Sequence, residues 1–99
     1  MTGPRISVAL TGLGRGYVIA TMPAPDPYTS GQVLVVGQVR EETSDHRPTH
    51  WRAWLWPKAS GELHTTQHCD AVDATTPEQL GERLQRRAGK EGLWWQRSS

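Results

Sequence analysis

The 99 residues carry eleven basic and ten acidic side chains, for a formal net charge of +1, and they include no phenylalanine. A chain this long builds one domain, residues 1–99, around a single core of modest size. The near balance of charge argues against a strongly basic nucleic-acid binder and leaves at most a local basic end. The lack of a long apolar run argues against a membrane-spanning helix, and a lone cysteine, Cys69, excludes an internal disulfide.

Residues 1–5 lack the charged-then-apolar build of a signal peptide, so the expected location is cytoplasmic. Nine arginines stand against two lysines, with no asparagine. That choice reads as the codon bias of a high-GC genome, such as that of a bacterium or one of its phages or plasmids. Part of the arginine count is then mutational and is discounted as a sign of nucleic-acid binding.

In chain order, residues 5–11 alternate cleanly, with Ile6, Val8 and Leu10 on one side and Ser7, Ala9 and Thr11 on the other. This is the period of a half-buried strand. Gly12, Gly14 and Gly16 break it, and residues 17–22, rich in β-formers, predict the second strand of a hairpin. The glycine spacing is not that of a phosphate loop, and no helix follows whose N-terminus would hold an anion. Residues 23–31 hold three prolines and predict a loop. Residues 32–40 include four consecutive apolar residues, which suggest a central strand. Gly37 within it marks a bulge or a close neighbour, for which a tryptophan of the next strand is the expected occupant. Residues 41–49 are polar and predict a connecting loop.

Three of the five tryptophans fall in residues 50–57, HWRAWLWP. As a strand this segment places Trp51, Ala53 and Leu55 on one face and Arg52, Trp54 and Trp56 on the other. One set faces the core. If the other face is open, Arg52, Trp54 and Trp56 form a cationic and aromatic platform suited to stacking bases or gripping a protein partner. Residues 62–69 read as a weaker strand and residues 70–74 as a connector or strand tail. His64 and His68 are four apart, but on a strand that separates them by about 13 Å, so they cannot share a metal. Neither a metal nor any other cofactor is expected.

Thr76, Pro77, Glu78 and Gln79 form the clearest local signal: an N-cap, a proline at the first helical position, an acid in the first turn and a capping-box glutamine. The helix they open is expected to run to about Ala88 and stop at Gly89. Leu80, Leu84 and Ala88 make its apolar stripe. Arg83, Arg86 and Arg87 lie beside the stripe as a candidate phosphate-contacting edge. Leu93, Trp94 and Trp95 are expected to fold back onto the core.

The expected fold is therefore α+β: an antiparallel sheet of about five strands in the order β-β-β-β-β-α, mostly a meander, with one C-terminal helix on one face and an aromatic C-terminal tail. The last three strands and the helix resemble, in layout only, three-strand-plus-helix DNA-binding modules such as the arm-binding domains of tyrosine integrases. Residues 51–57 stand where such modules carry a tryptophan-containing strand. The likeness covers about half the chain, lacks the glycine and arginine pattern of those families and assigns no residue a role. No catalytic motif such as G-x-S-x-G, H-E-x-x-H or a P-loop occurs. The expected function is a small non-enzymatic binding module associated with nucleic acid through Arg52, Trp54, Trp56, Arg83, Arg86 and Arg87. The alternative is a protein–protein module or homodimer that buries the Trp54 and Trp56 face.

Overall fold

The computed structural model describes residues 3–24, 28, 31–44, 47–60 and 70–96. Five strands, β1 (Arg5–Gly12), β2 (Arg15–Thr21), β3 (Val33–Ser44), β4 (Arg47–Ser60) and β5 (Asp70–Ala74), form one antiparallel sheet in the order β1-β2-β3-β4-β5. Helix α1 (Pro77–Glu91) and a 3₁₀ turn at Trp94–Gln96 follow. The α+β meander with a C-terminal helix is thus the fold that the periodicity predicts. Among the described residues no helix is long and apolar enough to cross a membrane.

Two boundaries differ from expectation. The strand pairing with β4 is Asp70–Ala74, with Ala53 opposite Val72 and Trp51 opposite Ala74. The strand expected over residues 62–69 lies outside the described residues, as do His64, His68 and Cys69. Strands β3 and β4 also extend into the segment expected to be a loop, where Glu41 faces Trp51 and Glu42 faces His50. Charged side chains there do not prevent pairing, because backbone groups make the ladder and the side chains need only reach water.

The core lies on one face of the sheet, under α1. Ile6, Val18, Ala20, Val39, Ala53, Leu55 and Ala74 supply the sheet side, and Leu80, Leu84 and Ala88 supply the helix side. The helix touches both edge strands, β1 and β5, so the sheet curls around it. Thr76 caps it: Thr76 Oγ1 accepts from Gln79 N at 3.1 Å. Gln79 Oε1 returns the bond one residue earlier than a simple capping box requires, accepting from Thr75 N at 3.1 Å. The helix continues through Gly89, and Gly92 at φ +87° ends it instead. The stop belongs at Gly92 because a positive φ is strained for a residue with a Cβ.

The central strand carries the bulge expected from Gly37. Val18 pairs with Gly37 and Ile19 with Val35, which leaves Val36 unmatched. The close neighbour is not a tryptophan ring: a Cβ on Gly37 would lie 2.7 Å from the Trp54 carbonyl oxygen and 3.0 Å from Val18 Cγ2. The bulge frees the Val36 carbonyl from the ladder, and Trp94 Nε1 donates to it at 2.9 Å. Trp94 and Trp95 are buried, their rings set edge to face at 4.9 Å.

Candidate nucleic-acid interface

Alternation along β4 places Arg52, Trp54 and Trp56 on the face of the sheet opposite α1. They do not behave alike. Trp56 is 2% exposed, its ring set edge-on to Tyr17 at 6.4 Å between centroids. It is packed away and offers no stacking surface. Trp54 is half-buried, and Arg52 is a third exposed.

The cross-strand register assembles a larger surface around these two residues. One transverse row runs Ala9, Tyr17, Gln38, Trp54, Ala71 across all five strands. The adjacent row runs Arg15, Arg40, Arg52, Asp73 across β2 to β5. Two-residue alternation keeps both rows on one face, about 7 Å apart along the strands. Tyr17 and Trp54 stand two strands apart, about 10 Å, with Gln38 between them. Ala9, Gln38, Arg15 and Arg40 are exposed. The result is an aromatic row bordered by three guanidinium groups.

Sequence reasoning found Arg52 and Trp54 but missed Arg15, Arg40 and Tyr17. The available signal was repetition: Arg15 and Tyr17, Arg40 and Gln38, and Arg52 and Trp54 each sit two apart on one strand. Their convergence depends on register, which the sequence alone does not display.

Electrostatics divides the three arginines. Arg52 Nε and Nη2 donate to the Asp73 carboxylate at 2.7 and 3.2 Å. That hydrogen-bonded carboxylate, and then its charge, hold the Arg52 guanidinium pKa above its ordinary value. Ion pairs among the described residues engage Arg52 and Arg87 but not Arg15 or Arg40. Those two face each other directly, like charge against like, an arrangement that costs stability in a sheet.

The three helix arginines do not converge on this face. Arg83 donates to the Asp73 backbone carbonyl. Arg87 binds the Asp70 carboxylate and lies 3.3 Å from Glu91 Oε2. Both tie α1 to the β5 edge. Arg86 is exposed on the other flank, where it lines a groove of about 600 Å³ between α1 and β1 together with Arg5, Val8, Leu10, Glu78 and Glu82.

A smaller cleft of about 240 Å³ at the β4–β5 end holds Thr49, His50, Asp73 and Arg83. His50 Nδ1 is 3.3 Å from the Pro48 carbonyl oxygen, and its Nε2 is buried with no hydrogen-bond partner among the described residues. Asp73, the carboxylate beside it, grips Arg52. Among the described residues no three or more His, Cys, Asp or Glu side chains group as metal ligands. The chain matches no known protein family, no curated protein and no solved structure.

Proposed function

We propose that this chain is a small non-enzymatic binding module that takes single-stranded nucleic acid on the sheet face opposite α1. The supporting observation is the register that sets the Arg15, Arg40 and Arg52 row beside the Tyr17 and Trp54 row. Single strands are held by bases stacked on aromatic rings and by phosphates drawn to a cationic groove. Here Trp54 and Tyr17 stack bases, and Arg15 and Arg40, the two guanidinium groups of the row with no carboxylate partner among the described residues, take phosphates. Arg52 is held in place by Asp73 and lends its charge to the same row. Every base has a π-face, so stacking on Trp54 and Tyr17 is tolerant of sequence. A cytoplasmic accessory protein of a high-GC bacterium, phage or plasmid fits such a module.

The experiment is a tryptophan-fluorescence titration with short single-stranded oligonucleotides at several salt concentrations. Quenching with an affinity that falls as salt rises supports the proposal. No binding at low salt, or equal binding after Arg15→Glu with Arg40→Glu, overturns it. One observation favours a second reading: the same face continues into Ile19, Val35 and Val33, the last 62% exposed. An apolar continuation suits a protein partner, whose affinity would resist salt.

A further inference from the structure

The two edges of the sheet are finished differently. Edge β5 is five residues long, carries Asp70 and Asp73, and is pinned by Arg83 and Arg87 from the helix. Short, charged, covered edges are how proteins prevent strand addition. Edge β1 is eight residues long and carries no charge from Ile6 to Gly12. Helix α1 flanks it across a groove, but among the described residues side-chain hydrogen bonds reach its backbone at one end only: Gln85 Oε1 accepts from Ile6 N at 2.7 Å and Gln85 Nε2 donates to the Pro4 carbonyl. That bond shows that the Ile6 N–H points away from β2. By alternation the N–H and C=O groups of Val8 and Leu10 point the same way, outward.

We propose that β1 pairs with β1 of a second copy of this chain, antiparallel about a two-fold axis at Val8. Two features of the edge select a copy of itself as occupant. The pattern Ile6, Ser7, Val8, Ala9, Leu10 is nearly palindromic. A two-fold at Val8 sets Ile6 against the partner's Leu10, Ser7 against the partner's Ala9 and Val8 against the partner's Val8, so each core-face residue meets a core-face residue.

The second feature is charge. Gln85 fixes the C-terminal half of α1 at Pro4 and Ile6, so the helix N-terminus, which also lines the groove, lies toward Leu10. Seven helical residues span about 10 Å and four strand residues about 13 Å. Glu78 and Glu82 therefore stand at the Leu10 end of the groove and Arg5 and Arg86 at the Ile6 end. The two-fold reverses one groove against the other, bringing the acidic end of each copy to the basic end of its partner. Ladder bonds form between the two Val8 residues and between each Leu10 and the partner's Ile6, whose N–H exchanges the Gln85 amide oxygen for the partner's Leu10 carbonyl. The product is one continuous ten-stranded sheet. Both helices lie on one side, and both Arg15, Arg40 and Trp54 faces lie on the other.

The test is sedimentation equilibrium on the full chain and two charge variants, all altered at exposed positions. Glu78→Arg with Glu82→Arg makes the groove wholly basic; Arg5→Glu with Arg86→Glu makes it wholly acidic. The wild type should dimerise. Each variant alone should dimerise at least about tenfold more weakly, and the two mixed should form a one-to-one dimer. In the wild type, the Val8 and Leu10 amides should exchange slowly with solvent only at concentrations where the dimer forms, a readout independent of either variant. A wild type that stays monomeric at millimolar concentration overturns the proposal. So does a dimer that ignores both charge changes or leaves those two amides in fast exchange.

Discussion

Arg15 and Arg40 are directly opposite one another on β2 and β3, and a like-charge pair in that position costs a few tenths to about 1 kcal/mol relative to neutral neighbours. Arg40→Thr should therefore raise unfolding stability by about 0.5 kcal/mol in urea titration while weakening single-stranded nucleic-acid binding several-fold. A surface residue that is better replaced for stability and worse replaced for binding is the mark of a site. The tryptophans on the same face separate the same two roles. Trp54 is half-buried and Trp56 almost fully buried. Trp54→Ala should cost about 1–3 kcal/mol of binding if a base stacks there, with the fold retained. Trp56→Ala should cost about 3–5 kcal/mol of stability. Fluorescence titration and urea unfolding of the two variants give opposite orders of severity. The sequence put Arg52, Trp54 and Trp56 on one face correctly, because alternation is a local property. It gave no sign that Trp56 is packed against Tyr17, which lies 39 residues away in the chain.

At the scale of elements, legibility follows how local the cause is. The N-terminus of α1 is readable because Thr76, Pro77 and Gln79 act within one turn. Its C-terminus moves from the expected Gly89 to Gly92 because both glycines permit a stop and only the packed structure decides between them. Strand β5 is the least legible of the strands. Asp70, Ala71, Val72, Asp73 and Ala74 have weak strand propensity, and they pair because Val72 and Ala74 complete the core face beside Ala53 and Trp51. Gly37 shows the same limit: it predicts crowding, but not that the neighbour is the β4 backbone. The bulge beside it creates a dependence that can be tested. Val36 is unmatched in the registers with both β2 and β4, and its carbonyl oxygen accepts from Trp94 Nε1 in the buried core. Trp94→Phe keeps an aromatic ring but leaves that carbonyl unpaired, and thermal unfolding should show a loss of about 1–3 kcal/mol or more. Thr76→Ala should cost less, about 1 kcal/mol, because water can take over part of an exposed cap.

For the whole molecule the decisive quantity is where charge sits, since the net charge of +1 supplies almost no long-range field. The expected basic end, Arg83, Arg86 and Arg87, divides between a bonded edge and a separate groove. The basic density assembled by the fold is the Arg15, Arg40 and Arg52 row, drawn from three strands that are far apart in sequence. This placement fixes the salt response. Each phosphate neutralised on a single strand contributes a slope of about −0.7 to log K against log salt. Three arginines thus set a ceiling near −2, and the Asp73 carboxylate on Arg52 brings the value closer to −1.5. Arg83→Ala with Arg87→Ala should leave that slope unchanged, whereas Arg15→Ala with Arg40→Ala should flatten it almost completely. A slope of −4 or steeper would require phosphate contacts beyond the row and would point back to the helix arginines. A slope near zero with binding intact would move the affinity to the apolar half of the face, around Ile19 and Val33, and make the partner a protein.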